Sequence, residues 1–183
     1  MSAGYEADYQ GQALALPEEV REVFDRFLVA DLTTVTGDGT AVTWPVLPIF
    51  EAKTARFALV TSIGLPAKAH NIRRRPHVSL LYADPLGSDL VDPPRVLVQG
   101  RATAEDRVLV SIDQVDDQFL VPVMKEAAVR LARRQPNLGL YLSNPLSRYL
   151  MDWYFMRILI LIQPLRIAWG RGDPSGWEVL DVG

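Results

Sequence analysis

The stretch that decides the fold is residues 59–82, LVTSIGLPAKAHNIRRRPHVSLLY. It opens with an apolar strand that ends in two hydroxyl residues, Thr61 and Ser62. A short helix is predicted over about 66–75, because proline is tolerated in a first helical turn and a second proline ends the run. Another apolar strand follows over 78–82. The segment therefore predicts strand, turn, helix and strand in that order.

The start of this helix offers a site for an anion. The first N–H groups of a helix have no partner within it, and here they point back at the end of the strand. Lys68 lies in the first turn, where the helix dipole opposes a cation by about 0.3–1 kcal/mol, a penalty that a bound phosphate would reverse. These features indicate a phosphate cup made by Thr61, Ser62 and Lys68. On spacing alone, a solvated lysine beside a capping threonine stays an open alternative.

Outward from this segment, strands dominate the chain. An amphipathic helix is predicted over about 17–28, and a glycine-rich turn at 37–39 joins two strands into a hairpin. The other predicted elements are strands at 32–36, 41–50, 56–61, 95–103, 155–163, 165–169 and 177–182, helices within 105–134 and at 144–153, and a long loop at 84–94. Meandering strands with a few helices predict an α+β fold built on an antiparallel barrel.

Composition places the chain among globular domains. Apolar residues make up 49% and charged residues 22% of the 183 residues, which argues against disorder. We expect one domain over 1–183, with a loosely ordered arm at 1–16. The absence of cysteine excludes disulfides, thiolate catalysis and cysteine metal sites. A formal net charge of −3 argues against a nucleic-acid partner.

No targeting or membrane segment is predicted. The first residues carry two acids and lack the basic region of a signal peptide. The most apolar run, residues 153–162, is far shorter than the ~18 residues that span a bilayer. Together with the missing cysteines, these features predict a cytoplasmic protein.

The usual catalytic motifs are missing from the sequence. It contains no G-x-G-x-x-G, no P-loop and no G-x-S-x-G. The two histidines, His70 and His77, flank a proline without the spacing of metal ligands, and we predict no metal site. No residue is assigned a catalytic role from its sequence context.

Three segments together resemble the pyridoxamine 5'-phosphate oxidase-like family of flavin-binding split β-barrels. The first is the order T-S-x-G-x-x-x-K-x-x-N-I-R-R-R-P-x-V-S-L over 61–80. The others are RVLVQGRA at 95–102 and PLRIAW at 164–169. The resemblance runs from about residue 31 to residue 170 and is less marked over 105–153. It implies an antiparallel split β-barrel with appended helices.

The resemblance also implies a homodimer with flavin mononucleotide (FMN) at the subunit interface. Thr61, Ser62 and Lys68 would hold the phosphate, and Gln99 would lie near the ring system. Trp169 would approach the cofactor or the dimer seam, although a plain core role stays open. The residues that would line the isoalloxazine edge are Thr43, Trp44, Pro45 and Val46.

The sequence departs from the family pattern at two places. True pyridoxamine phosphate oxidases carry an arginine and a lysine on the second strand, whereas TWPVLPIF at 43–50 has neither. Their R-x-H after the terminal tryptophan is missing here as well. Both departures argue against vitamin oxidation. Some relatives use a deazaflavin in place of FMN, and some bind haem.

The expected function is therefore a flavin-dependent oxidoreductase acting on a small-molecule substrate. A cofactor that carries the hydride chemistry explains why no acid–base pair is visible. The alternatives are a deazaflavin-dependent reductase on the same fold and a non-catalytic flavin carrier or sensor. A homodimer is also favoured by the apolar run 154–162, which exceeds what an edge strand usually exposes.

Overall fold

One antiparallel sheet makes up most of the molecule. The computed structural model describes residues 14–85, 88–109, 115, 120–122, 124–125 and 157–182. Within them lie two α-helices, eight strands and a 3₁₀ turn at Pro174–Gly176. In chain order the elements are α1 Glu18–Arg26, β1 Ala30–Val35, β2 Ala41–Val46, β3 Ile49–Glu51, β4 Arg56–Ser62, α2 Ala67–Arg74, β5 His77–Tyr82, β6 Arg95–Leu109, β7 Arg157–Gly170 and β8 Glu178–Asp181.

The sheet curls until its two ends meet. Its strand order is β2-β1-β5-β6-β7-β4-β3, and β8 pairs with β7 beside this path. The end strands β2 and β3 are consecutive in the chain, and only Leu47 and Pro48 separate them. Three Cα steps join Val46 to Ile49, about 11 Å at most, so the end of β2 lies close to the start of β3, and no ladder pairs the two strands. The result is a barrel that is split between β2 and β3.

Aromatic rings from both sides of the split meet in the barrel core. The Phe24 ring of α1 lies 5.0 Å from Phe50 on β3, 4.9 Å from Phe57 on β4 and 5.2 Å from Tyr82 on β5. Ring pairs at such distances add about 0.5–1.5 kcal/mol each beyond their buried area. The amphipathic helix predicted from the sequence thus binds the barrel across its opening. Leu14 and Leu16, which precede it, also pack on this core.

A second, smaller core lies on the opposite face of the sheet. Ile158, Leu159 and Ile160 are consecutive and all buried, so both faces of β7 are covered there. The side chains on the outer face are Ala58, Leu109 and Leu159, which cluster with Val115, Leu120 and Met124. Residues 120–122 and 124–125 are helical. The described residues of the helical segment predicted here therefore cover this face of the sheet.

Three strand boundaries differ from the sequence prediction. β6 continues to Leu109 instead of ending near 103, because a register shift between Ala104 and Val108 lets it keep pairing with β7. β7 is one strand across Pro164, where two strands were predicted, since that proline lies opposite a second irregularity at Gly100. The predicted strand 41–50 is divided in two before Pro48. The predicted loop at 135–139 and helix at 144–153 lie outside the described residues.

Gly100 of β6 lies close to the backbone of β7. A Cβ built on it would lie 2.3 Å from the carbonyl oxygen of Gln163, which is backbone and has no side-chain freedom to move. We therefore expect Gly100→Ala to lower the free energy of unfolding by about 1–3 kcal/mol through overpacking. Denaturant unfolding of the purified protein measures this loss.

Gly176→Ala is the matched control, because nothing lies within 4 Å of a Cβ placed there. Its midpoint of unfolding should change little. Equal stabilities of the two variants would show that β6 can move away from β7 at no cost.

Candidate functional site

The junction of β4 and α2 has the predicted strand, turn and helix. The Thr61 side chain is buried, and its hydroxyl donates to the carbonyl of Leu65 at 3.1 Å. The Ser62 hydroxyl oxygen accepts from the N–H of Gly64 at 3.3 Å. Both hydroxyls thus hold the turn. Thr61 uses its only proton in this bond, whereas Ser62 accepts in its bond with Gly64 and keeps its proton for another acceptor.

The N-terminus of α2 has no side-chain cap. Pro66 occupies the capping position, no side chain accepts from the first N–H groups, and no acid lies in the first turn. The backbone bond from His70 N–H to the Pro66 carbonyl, at 2.9 Å, begins the helical ladder. The N–H groups before it are unpaired by the helix itself and favour a negative charge.

Lys68 lies beside these groups and above an indole. Its Nζ is 4.9 Å from the centre of the Trp44 ring, a cation–π distance. Burial lowers the pKa of Lys68, since desolvation disfavours the charged form. Among the residues that the structure describes, no carboxylate forms an ion pair with it. A half-buried cation without an acidic partner is suited to an anionic ligand.

The other candidate site residues on β2 differ in exposure. Thr43 and Pro45 are exposed, and Val46 is buried in the core. The Thr43 hydroxyl lies 2.9 Å from that of Thr33 on the neighbouring strand. Of these β2 residues, Trp44 is the one that the structure brings into contact with Lys68.

Two arginines at the end of α2 serve the fold. Arg73 donates to the carbonyls of Ala104 and Glu105 at the irregular part of β6. Arg75, the residue after α2, donates to the carbonyl of Gly37 at 2.8 Å, in the β1–β2 hairpin. Both side chains therefore bind backbone on neighbouring elements.

Gln99 and Trp169 lie at the other end of the β7 ladder from Ser62. Gln99 is exposed and pairs in register with Arg166 of β7, whereas Ser62 pairs with Arg157. Nine residues of strand separate these two positions, which corresponds to about 30 Å. Trp169 is 6% exposed and belongs to the main core cluster. Gln99 is therefore far from Ser62 along β7, whereas its cross-strand row runs through Ser79 and Thr33 to Thr43, the neighbour of Trp44.

A cavity opens beside Gln99 on the outer face of the sheet. Its volume is about 530 Å³, and Arg95, Arg166 and Trp177 line it together with apolar side chains. These three residues were not among the site residues predicted from the sequence. The only sequence signal was the alternation of Arg95, Leu97 and Gln99 along one strand face, because the partners across the sheet depend on register.

Two kinds of site are missing from the described residues. Across the described part of the chain, no group of three histidine, aspartate or glutamate side chains could hold a metal ion. A search of the same residues finds no helix with the length and apolar character needed to cross a membrane.

Comparisons with known proteins agree with this fold. The model of the family described as pyridoxamine 5'-phosphate oxidase matches residues 16–149. A pyridoxamine 5'-phosphate oxidase-related, FMN-binding protein from Nostoc punctiforme PCC 73102 has a similar structure, with 13% identity, 92% of this chain and 98% of that chain covered, and a TM-score of 0.51. A search of curated proteins finds no match.

Two further solved structures are similar. One is an F420 reductase, at 18% identity, covering 83% of this chain and 98% of that chain with a TM-score of 0.52. The other is a heme-binding protein from Mycobacterium smegmatis, at 16% identity, covering 92% of this chain and 60% of that chain with a TM-score of 0.54. These likenesses concern the fold, and they confirm the predicted antiparallel split β-barrel with appended helices.

A buried hydrogen bond fixes α2 against the sheet. The Asn71 amide donates to the hydroxyl of Thr34 at 3.0 Å, and both side chains are buried. We expect Thr34→Val to destabilise the protein by about 1–3 kcal/mol, because it leaves a buried amide unpaired. Thermal or denaturant unfolding measures the change. Thr33→Val, on the solvent-accessible side of the same strand, is the control and should cost much less, and equal losses would contradict the assignment.

Proposed function

Because this chain belongs to the pyridoxamine 5'-phosphate oxidase family, we propose that it is a flavin-dependent oxidoreductase that binds FMN at a homodimer interface. The observation that carries the proposal is the uncapped start of α2 beside Lys68, a half-buried cation without an acidic partner in the described chain. FMN supplies the hydride chemistry when bound, and the protein supplies binding and orientation. The substrate is a small molecule.

The phosphate end of the site is built from Lys68, Ser62 and the first N–H groups of α2. Lys68 provides the charge, and a charge-assisted contact to phosphate is about twice as strong as a neutral one. Ser62 provides a hydroxyl proton. Thr61, whose hydroxyl donates to Leu65, acts as a positioning residue that keeps the turn closed around the anion.

Trp44 supports the assignment of β2 to the ring end of the cofactor. Its indole N–H is buried and has no hydrogen-bond partner among the described residues. An unpaired buried donor costs about 1–3 kcal/mol. A carbonyl on the isoalloxazine edge is an acceptor that would remove this cost. Thr43, Pro45 and Val46 lie on the same strand and complete that edge.

In the proposed homodimer, two copies of the chain complete this site. The Ser62 and Gln99 positions are separated by ~30 Å of strand along β7. A twofold axis would bring the Gln99 end of one copy to the Lys68 end of the other, and it would form two equal sites. Trp169 is buried. It lies on β7, the strand of Arg166, which lines the cavity beside Gln99.

A deazaflavin-dependent reductase is the second candidate. It is favoured by the similarity to an F420 reductase and by the absence of arginine and lysine from TWPVLPIF on the second and third strands. A non-catalytic flavin carrier is the third. The absorption spectrum of the purified protein and mass spectrometry of any released ligand separate FMN from deazaflavin. Turnover of a reduced nicotinamide donor then separates an enzyme from a carrier.

The role of Lys68 can be tested by titration with FMN. We expect Lys68→Ala to weaken binding by about 1.5–3 kcal/mol, ten- to a hundredfold, because a charge-assisted contact to phosphate is lost. Thr61→Ala should cost less, about 0.5–1.5 kcal/mol. Quenching of flavin fluorescence measures both affinities, and a parallel titration with deazaflavin compares the two cofactors.

Lys53→Ala is the control for this substitution, since Lys53 lies on the β3–β4 turn at the opposite end of β4 from Ser62. It should bind FMN like the wild type. Equal affinities of the wild type and Lys68→Ala for both cofactors would remove Lys68 from the site.

Cofactor affinity should also depend on pH. Burial lowers the pKa of Lys68 in the free protein, and a bound phosphate would raise it. Binding then takes up a proton in the alkaline range between these two pKa values, so affinity falls as pH rises through that range. The part of the pH profile due to Lys68 should vanish in Lys68→Ala, which retains the titration of the flavin itself.

We expect a homodimer in solution at micromolar concentration. Light scattering should give a mass of twice the 20.4 kDa of one chain, because the proposed FMN site lies at the interface of two copies. A monodisperse monomer that still binds FMN with its full affinity would contradict the shared site.

A further inference from the structure

The cavity on the outer sheet face has a floor built from three rows of residues that run across the strands. In the middle row, Leu81 of β5 pairs with Leu97 of β6, Leu97 with Ala168 of β7, and Ala168 with Val179 of β8. All four line the cavity. Four strands thus contribute one continuous apolar strip to an exposed face of the sheet.

Arginines lie in the rows on both sides of this strip. Arg166 is paired with Gln99 in one flanking row, and Arg95 is paired with Gly170 in the other. Positions 95 and 99 are four residues apart on β6, so the two rows lie about 13 Å apart. The cavity is therefore long enough for a flat molecule of one or two rings between two cationic groups.

Trp177 forms one wall of the cavity because Gly170 has no side chain. A Cβ at residue 170 would lie 2.6 Å from Cδ1 of Trp177, so only glycine lets the indole pack on the strand at this point. The indole N–H of Trp177 is buried and has no partner within the described chain. A ligand oxygen is an acceptor that would satisfy it.

The charges that face the cavity are positive. No acidic side chain is among the described residues that line it. Arg95 has no ion pair within the described part of the chain, and Arg166 has one long contact, 4.0 Å from Nε to the exposed carboxylate of Asp181. Guanidinium groups bind carboxylates and similar anions through paired donors, and a short contact from a ligand would be stronger than the one to Asp181.

We propose that this cavity binds a small amphipathic anion, with a flat apolar body on the Leu97 strip and a carboxylate or comparable acidic group held by Arg166 or Arg95. Burial of the body removes apolar area from water, and the arginines select for charge. The cavity lies beside Gln99 on the outer face of the sheet. Its identification as the substrate pocket beside the flavin ring rests on the proposed function, whereas binding itself does not.

Calorimetric titration of the full-length protein with 2-naphthoate tests the proposal. The neutral 2-naphthamide is the matched ligand, since it keeps the rings and loses the charge. We expect one naphthoate per chain, and binding of the amide at least about tenfold weaker. Arg95→Gln and Arg166→Gln should each weaken naphthoate binding by about five- to tenfold.

Arg101→Gln is the control variant, because Arg101 is exposed on β6 but does not line the cavity. It should bind naphthoate like the wild type. Three results would overturn the proposal: no binding of naphthoate at millimolar concentration, equal binding of the acid and the amide, or equal effects of the three arginine variants.

FMN titrated into the same variants keeps this proposal separate from the proposed function. Unchanged FMN affinity with weakened naphthoate binding supports a ligand pocket of its own. If Arg95→Gln and Arg166→Gln weaken FMN binding and leave naphthoate unaffected, the arginines belong to the cofactor and the pocket proposal fails. If FMN binds to no variant, the flavin function fails while the naphthoate titration still decides the pocket.

Discussion

The pairing of β6 with β7 is the constraint on which the rest of the structure depends. These two long strands, Arg95–Leu109 and Arg157–Gly170, carry β5 on one side and β4 and β8 on the other. Pro164 cannot donate to a ladder, and its position opposite Gly100 falls at a register shift that accommodates this loss. A residue larger than glycine at position 100 would meet the backbone of Gln163. The register of β6 against β7 at this point therefore requires glycine at position 100.

Lys68 is a partly buried cation. Partial burial disfavours its charged form and lowers its pKa. Contact with the Trp44 ring returns about 0.5–2 kcal/mol of this cost, depending on how far water is excluded. A nearby carboxylate would also stabilise the charged form of Lys68, yet none pairs with it in the described chain. Arg73 and Arg75, which follow in the chain, differ in this respect, since both bind backbone carbonyls.

The parts of the structure that were predictable from sequence are the local ones. The strand, turn and helix around Ser62 and Lys68 depend on proline placement and apolar runs within 24 residues, and the structure has them. The extent of β6 was not predictable, because residues 105–109 have a helical composition that pairing with β7 overrides. The outer cavity was equally hidden. It depends on cross-strand register and on Trp177 packing over Gly170, and neither leaves a periodic signal along the chain.

The length of β7 connects the two halves of the molecule and keeps them apart. Its first half pairs with β4, which ends at Ser62 and leads into α2, and its second half pairs with β8 beneath the outer cavity. In the proposed homodimer, a twofold axis would place opposite ends of two identical strands side by side, so that the Lys68 region of one copy faces the outer cavity of the other. Both regions are cationic although the chain carries a net charge of −3. Direct contact between them would therefore be repulsive, and an anion bound between the copies would offset that repulsion. Cofactor binding and dimerisation are then expected to stabilise each other.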